Sequence, residues 1–166
     1  MESILFWILA WAAVGSSLAM ITQRSPVHSA IAFLGTLVSL AGLFLLLYAQ
    51  FVAILQIIIY AGAILVLFLF VIMLLHAHAG EGLVEKIRLQ RPLAIVLSLA
   101  LLAGISLVFL QAGLSEAPTP PAGMGTAEEV GKTLFDRFIL PFEVASVLLL
   151  AGILGAVVLS KKEGPS

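Results

Sequence analysis

The sequence predicts an all-α integral membrane protein, a bundle of five transmembrane helices. Three observations carry this. First, the run from Phe51 to Leu75, FVAILQIIIYAGAILVLFLFVIMLL, holds no charge, and at ~1.5 Å rise per residue it outreaches the ~30 Å of hydrocarbon in a bilayer. Second, hydrophobic residues make up 62% of the 166 residues and charged residues only 10%, with a mean hydropathy of +1.22, whereas soluble domains carry about 25% charged residues. Third, four further apolar segments flank that run. None shows the ten-residue alternating pattern of a membrane β-barrel.

Taken in order, the first span covers residues 3–21 and carries Trp7 and Trp11 near one interface. Met1-Glu2-Ser3 offers no basic region ahead of it, so the segment reads as a retained helix rather than a cleaved signal peptide. The second span covers 26–48, with Ser25 as N-cap and Pro26 at the first helical position. The third is 51–75. The fourth, 92–111, again opens on a proline, Pro92. The fifth, 138–159, has Pro141 in its first turn. The whole chain, 1–166, is one membrane domain.

Basic residues set the expected orientation. Arg24, the loop to Arg91 with Lys86 and Arg88, and Lys161 and Lys162 fall on one side of a five-span layout, and only Lys132 and Arg137 on the other. The positive-inside rule then places the N-terminus outside and the C-terminus in the cytoplasm. The outer loop 113–137 begins irregular, with Pro118, Pro120, Pro121, Gly123 and Gly125. Thr126-Ala127-Glu128-Glu129 then matches a capping box and starts a short surface helix. Val130, Leu134 and Phe138 line its apolar side, and Glu128 pairs with Lys132.

Composition excludes several function classes. Net charge is -1, which gives nucleic acid no footprint. There are no cysteines, so disulfides and thiolate-ligated centres are absent. His76 and His78, two residues apart, do not share a helix face and read as interfacial anchors. No nucleophile–base pair, phosphate loop or haem motif is present, and no internal repeat points to an inverted-repeat transporter.

The candidate functional residues are few. Gln56 and Tyr60 lie four apart inside the third span. They either hydrogen-bond a neighbouring helix or border a hydrated path. Gly62 is either a close-packing glycine or a hinge at a π-bulge. Glu143 is the one acid inside an apolar run. It either complements the helix dipole at the outer interface or forms part of a proton path.

The run Gln56 to Leu75, QIIIYAGAILVLFLFVIMLL, closely resembles one family. So do Ser25 to Ala30, at the entry to the second span, and Leu140 to Leu150 followed by Gly155 to Leu159 in the last. The family is that of subunit J of bacterial proton-pumping NADH:quinone oxidoreductase, respiratory complex I, and of mitochondrial NADH dehydrogenase subunit 6. The resemblance covers nearly the whole chain. The stretch from Leu93 to Arg137 is its least diagnostic part, and His76 departs from the family's usual small amide or polar residue.

The resemblance implies a non-redox subunit of a translocase in the bacterial inner membrane. Such a subunit has no catalytic, cofactor-binding or metal-binding residues of its own. NADH, FMN, iron–sulfur clusters and quinone are bound by other subunits. The implied partners are subunits H, A, K and N and the lipid bilayer. The third helix is implied to be mobile, with a π-bulge from Tyr60 to about Phe68, a hinge at Gly62 and a gate lined by Tyr60 and Phe68. Two rival readings differ in the company the chain keeps on purification. One is a membrane subunit of a related hydrogenase or cation/proton antiporter complex. The other is a free-standing small transporter or scaffold.

Overall fold

A computed structural model of the chain describes residues 1–75, 90–112 and 123–161. The described residues form six helices: α1 (Glu2–Thr22), α2 (Pro26–Leu46), α3 (Gln50–Leu74), α4 (Gln90–Ala112), α5 (Ala127–Arg137) and α6 (Ile139–Ser160). Four of them, α1, α2, α3 and α6, are long and apolar enough to cross a membrane, and α4 carries a shorter apolar stretch, Pro92–Val108. His76, His78, the polar loop from Gly80 to Leu89 and residues 113–122 lie outside the described residues.

Helices α1 and α2 form an antiparallel pair whose contact is made by small residues. A Cβ at Gly35 would sit 3.0 Å from Ser16 Oγ, and one at Gly42 would sit 2.9 Å from Leu9 Cδ1. Both partners step by seven residues in opposite directions, about two turns, so one seam runs along both helices. Such close approach suits lipid, where van der Waals packing rather than burial from water holds helices together. Several hydroxyls on this pair are satisfied locally. Ser39 is buried and its hydroxyl donates to the Gly35 carbonyl at 2.8 Å. The Ser29 hydroxyl donates to the Met20 carbonyl at 2.7 Å, tying the start of α2 to the end of α1. Ser25 does stand at the N-cap of α2, but its hydroxyl makes no capping bond.

The α2–α3 connection is a tight reversal. Tyr48 N–H donates to the Leu45 carbonyl and Ala49 N–H to the Phe44 carbonyl. This is the paired pattern that closes a helix when the residue after its cap turns left-handed. Glycine usually takes that position. Here it is Tyr48, at φ 58°, a conformation that costs a side-chain-bearing residue ~1–2 kcal/mol.

Past this turn α3 packs back on α2. Ala30 and Leu37 of α2 bury against Ala61 and Leu65 of α3, with Phe33, Leu69 and Ile72 around them. Among the described residues α4 packs on no other helix, and α6 meets only α5, where Phe135 and Phe142 meet edge-to-face with centroids 5.3 Å apart.

Helix α5 is amphipathic. Thr126 Oγ1 accepts from Glu129 N–H at 3.4 Å, and Lys132 Nζ lies 2.8 Å from Glu128 Oε1. Only half of the capping box forms, because the Thr126 N–H donates to the Gly123 carbonyl rather than back to Glu129.

The seam predicts a position-specific response. Gly42→Leu forces α1 and α2 apart and costs ~1–3 kcal/mol, the range for overpacking. Gly15→Leu, whose Cβ meets nothing within 4 Å, leaves the pair intact. The SDS fraction needed to unfold the reconstituted chain reads the difference. Equal shifts for the two variants would refute the seam.

Candidate functional site

The site is built into the backbone of α3. From Gln50 to Leu55 the helix is α. From Gln56 to Ile64 it widens into a π-helix, and from Leu65 to Leu74 it is α again. Across the junction the Leu65 N–H donates to the Tyr60 carbonyl, five residues back instead of four. π segments are rare, mostly single-turn, and concentrate at functional positions.

The packing on α2 gives this segment a physical reason. Ala53, Ala61 and Leu65 are the buried residues of α3. Eight residues separate Ala53 from Ala61, and in a regular α-helix eight residues overshoot two turns by ~80°. One turn of α and one of π, each π turn holding about one residue more, bring both alanines to the same side. The wider turn therefore keeps α3 on α2 above and below the junction.

The sequence reading centred the bulge on Tyr60 to about Phe68. The structure moves it toward the N-terminal half of the helix, to Gln56–Ile64, because the register is set by Ala53, Ala61 and Leu65 rather than by the glycine. Gln56, Tyr60 and Gly62 fall inside it. Phe68 lies four residues past its end, in α geometry. Gln56 is half-buried, while Tyr60 and Phe68 are about half exposed, at 52% and 54%. Neither the Gln56 amide nor the Tyr60 hydroxyl bonds a described residue. Four steps fall slightly short of a full turn here and slightly exceed one on an α-helix, so the two side chains stay on roughly the same side of the helix.

Gly62 is exposed. A Cβ there would meet only the Ile57 carbonyl of its own helix, at 3.3 Å. No neighbouring described helix requires a glycine at this point.

Glu143 is also exposed and far from this segment in the chain. Its helix begins at Ile139 with no acid in the first turn. The sequence places Glu143 in that turn and leaves it between complementing the dipole and forming part of a proton path. The structure puts it one step beyond, where the helix-end field has largely fallen off. Among the described residues no group of three acidic or histidine side chains comes together to hold a metal ion.

Two backbone positions escaped the sequence reading. Tyr48 turns left-handed, and Gly125, at φ +79°, lies against the same turn. The flanking glycines of Gly123-Met124-Gly125 were the available signal.

Residues 16–159 match the model of the family NADH-ubiquinone/plastoquinone oxidoreductase chain 6. The chain is similar to NAD(P)H-quinone oxidoreductase chain 6 of Nostoc, 37% identical over 95% of this chain and 78% of the relative. It is similar to F(420)H(2) dehydrogenase subunit J of Methanosarcina mazei, 34% identical over 99% of this chain and 93% of the relative. It is similar also to NADH-quinone oxidoreductase subunit J of Escherichia coli, 34% identical over 95% and 86%.

The position of Glu143 yields a prediction. Glu143→Gln leaves the thermal midpoint of the purified protein essentially unchanged, since the carboxylate caps nothing. A drop of several degrees would restore a helix-end role.

Proposed function

The chain belongs to the NADH-ubiquinone/plastoquinone oxidoreductase chain 6 family, and on that premise we propose that it serves as a non-redox membrane subunit of a proton-pumping NADH:quinone oxidoreductase. In this reading α3 helps couple quinone reduction to proton translocation by changing register between its π and α forms. NADH, FMN, iron–sulfur clusters and quinone are held by other subunits. The membrane neighbours are subunits H, A, K and N.

The observation that carries the reading is the π segment at Gln56–Ile64. It is a helix with two available hydrogen-bond registers in a medium where backbone groups cannot be left unpaired. With the outer end of α3 held, removing the extra residue turns everything after the segment by ~100°. A turn of that size is one residue of register, so the side facing α2 then passes from Ala61, Leu65 and Leu69 to Tyr60, Ile64 and Phe68. Two of the residues singled out as hinge and gate, Tyr60 and Phe68, thus move together between an outward position and the α2 seam. The switch carries no proton itself. It opens or closes the space beside it.

A second reading concerns the electron donor. The Methanosarcina relative, named as a subunit of F(420)H(2) dehydrogenase, matches 99% of this chain. The same membrane element therefore serves a donor module other than NADH as readily, and the module that copurifies with the tagged chain decides between them.

Five spans, with the N-terminus outside and the C-terminus cytoplasmic, complete the proposal. Phe51 N–H donates to the Gly125 carbonyl at 2.9 Å, so the chain that leaves this turn along α3 comes back to the same turn. Helix α4 is the element between and accounts for the return crossing. In this cysteine-free chain, single cysteines at Ala49 and Met124 label from one membrane face and one at Gln23 from the other. Labelling of Met124 and Gln23 from the same face would remove α4 from the spans.

The test of the switch is Gly62→Val. A β-branched side chain stiffens the backbone inside the π segment. In assembled enzyme, quinone reduction relative to reduction of an artificial acceptor falls by roughly three- to ten-fold, the factor carried by 0.7–1.4 kcal/mol of unequal cost to the two forms. An unchanged ratio returns Gly62 to an ordinary helix position and removes the hinge.

A further inference from the structure

A change of register inside a helix does not say which half turns. The end that is held decides it. At the outer end of α3 the structure holds an unusual contact. The turn Gly123–Thr126 lies directly on the Tyr48–Ala49 reversal. Gly125 has φ +79°, and a Cβ added to it would collide with the Tyr48 carbonyl oxygen and come within 2.9 Å of Ala49 Cα. Both the backbone angle and the space require glycine there.

The contact is more than close packing. The first amides of a helix lack partners within it, and Ala49, at the N-cap of α3, has no side chain to offer. The Gly125 carbonyl takes the Phe51 N–H at 2.9 Å in its place. The turn is itself braced, since both the hydroxyl and the amide of Thr126 donate to the Gly123 carbonyl, at 2.8 and 3.3 Å. Thr126 also caps α5. One short turn therefore starts α5 and closes the open end of α3.

We propose that Gly125 is a positioning residue that fixes the outer end of α3 to α5, so that a change of register in Gln56–Ile64 is delivered wholly to Leu65–Leu74. The proposal rests on the reading of α3 as a switch and adds the direction of its motion. Without the anchor, rotation divides between the two halves, and Tyr60 and Phe68 no longer travel the full arc to the α2 seam.

The test uses the assembled complex and compares two glycines of the same turn. Gly123 also has a positive φ, +93°, but a Cβ on it meets nothing within 4 Å. Gly123→Ala therefore strains the loop and spares the contact, while Gly125→Ala breaks the contact. The expected result for Gly125→Ala is a Phe51 amide exchanging about five-fold faster or more, the factor that one net hydrogen bond carries. Quinone reduction relative to artificial-acceptor reduction falls several-fold with it. Gly123→Ala changes neither. Equal effects of the two variants overturn the proposal.

Should Gly125→Ala fail to assemble, amide exchange of the unaltered complex, resting against turning over, decides. Altered exchange within Gln56–Ile64 with Phe51 still protected supports the anchor. Loss of protection at Phe51 during turnover overturns the anchor and leaves the switch standing. No change in either segment removes the switch, and the anchor with it.

Discussion

Helix α3 has to satisfy two demands at once. Between its two ends it must pair every backbone amide and carbonyl within itself, because hydrocarbon offers no partner. It must also keep small residues against α2 over its length, because close packing is what holds helices together in lipid. The spacing of Ala53, Ala61 and Leu65 does not allow a regular α-helix to meet both. Breaking hydrogen bonds would fail the first demand, and letting the upper or lower half swing away from α2 would fail the second. Widening the helix by one residue over Gln56–Ile64 meets both, and the positions of Gln56, Tyr60, Gly62 and Phe68 follow from it.

The helical class, the four long apolar spans and their ends were legible in the sequence because each rests on local chemistry. Span length follows from hydropathy, the start of α2 from Pro26, and the start of α5 from Thr126 and Glu129, which share the cap bond. The π segment was implied by the family resemblance, but the residues themselves hide its place for a physical reason. From Phe51 to Leu75 nearly every residue is apolar, so no polar face marks the register and one inserted residue leaves no break in a pattern. The eight-residue spacing of Ala53 and Ala61 carries the information only once α2 is known to bury both. The bulge was therefore centred too far along the helix, around the glycine. The Gly125 contact is of the same kind. It joins residues far apart in the chain, and nothing local to either turn announces the other.

Where the candidate residues sit bears on what they do. Tyr60, Phe68 and Glu143 are all exposed on the chain by itself, and α6 contributes nothing to the α1–α3 core. A tyrosine and a carboxylate on otherwise apolar spans are costly unless something polar meets them. The family's members are subunits of larger oxidoreductases, and under the proposed function these side chains would meet other subunits. For Glu143 this matters most. Lying beyond the first turn of α6, it gains little from the helix end, so its carboxylate is left to whatever group the assembly brings opposite.

Under the proposed switch, the two registers of α3 would differ in size at the seam, which would make the element bistable rather than continuously deformable. In the π form the seam buries Ala61 in one cluster with Ala30, Leu37 and Leu65, a small residue that lets the helices come close. In the α form Tyr60 takes that place and needs far more room. Intermediate rotations bury neither set and leave some amides between partners, so they are disfavoured by packing and by hydrogen bonding together. The bulkier form becomes accessible only if α2 yields or if a neighbour's contact with the exposed Tyr60 and Phe68 is exchanged for the α2 seam. Either route ties the register of α3 to the position of a packed neighbour. A helix with no carboxylate, histidine or basic residue between Gln56 and Ile64 would in this way, under the proposed switch, respond to an event elsewhere in the assembly.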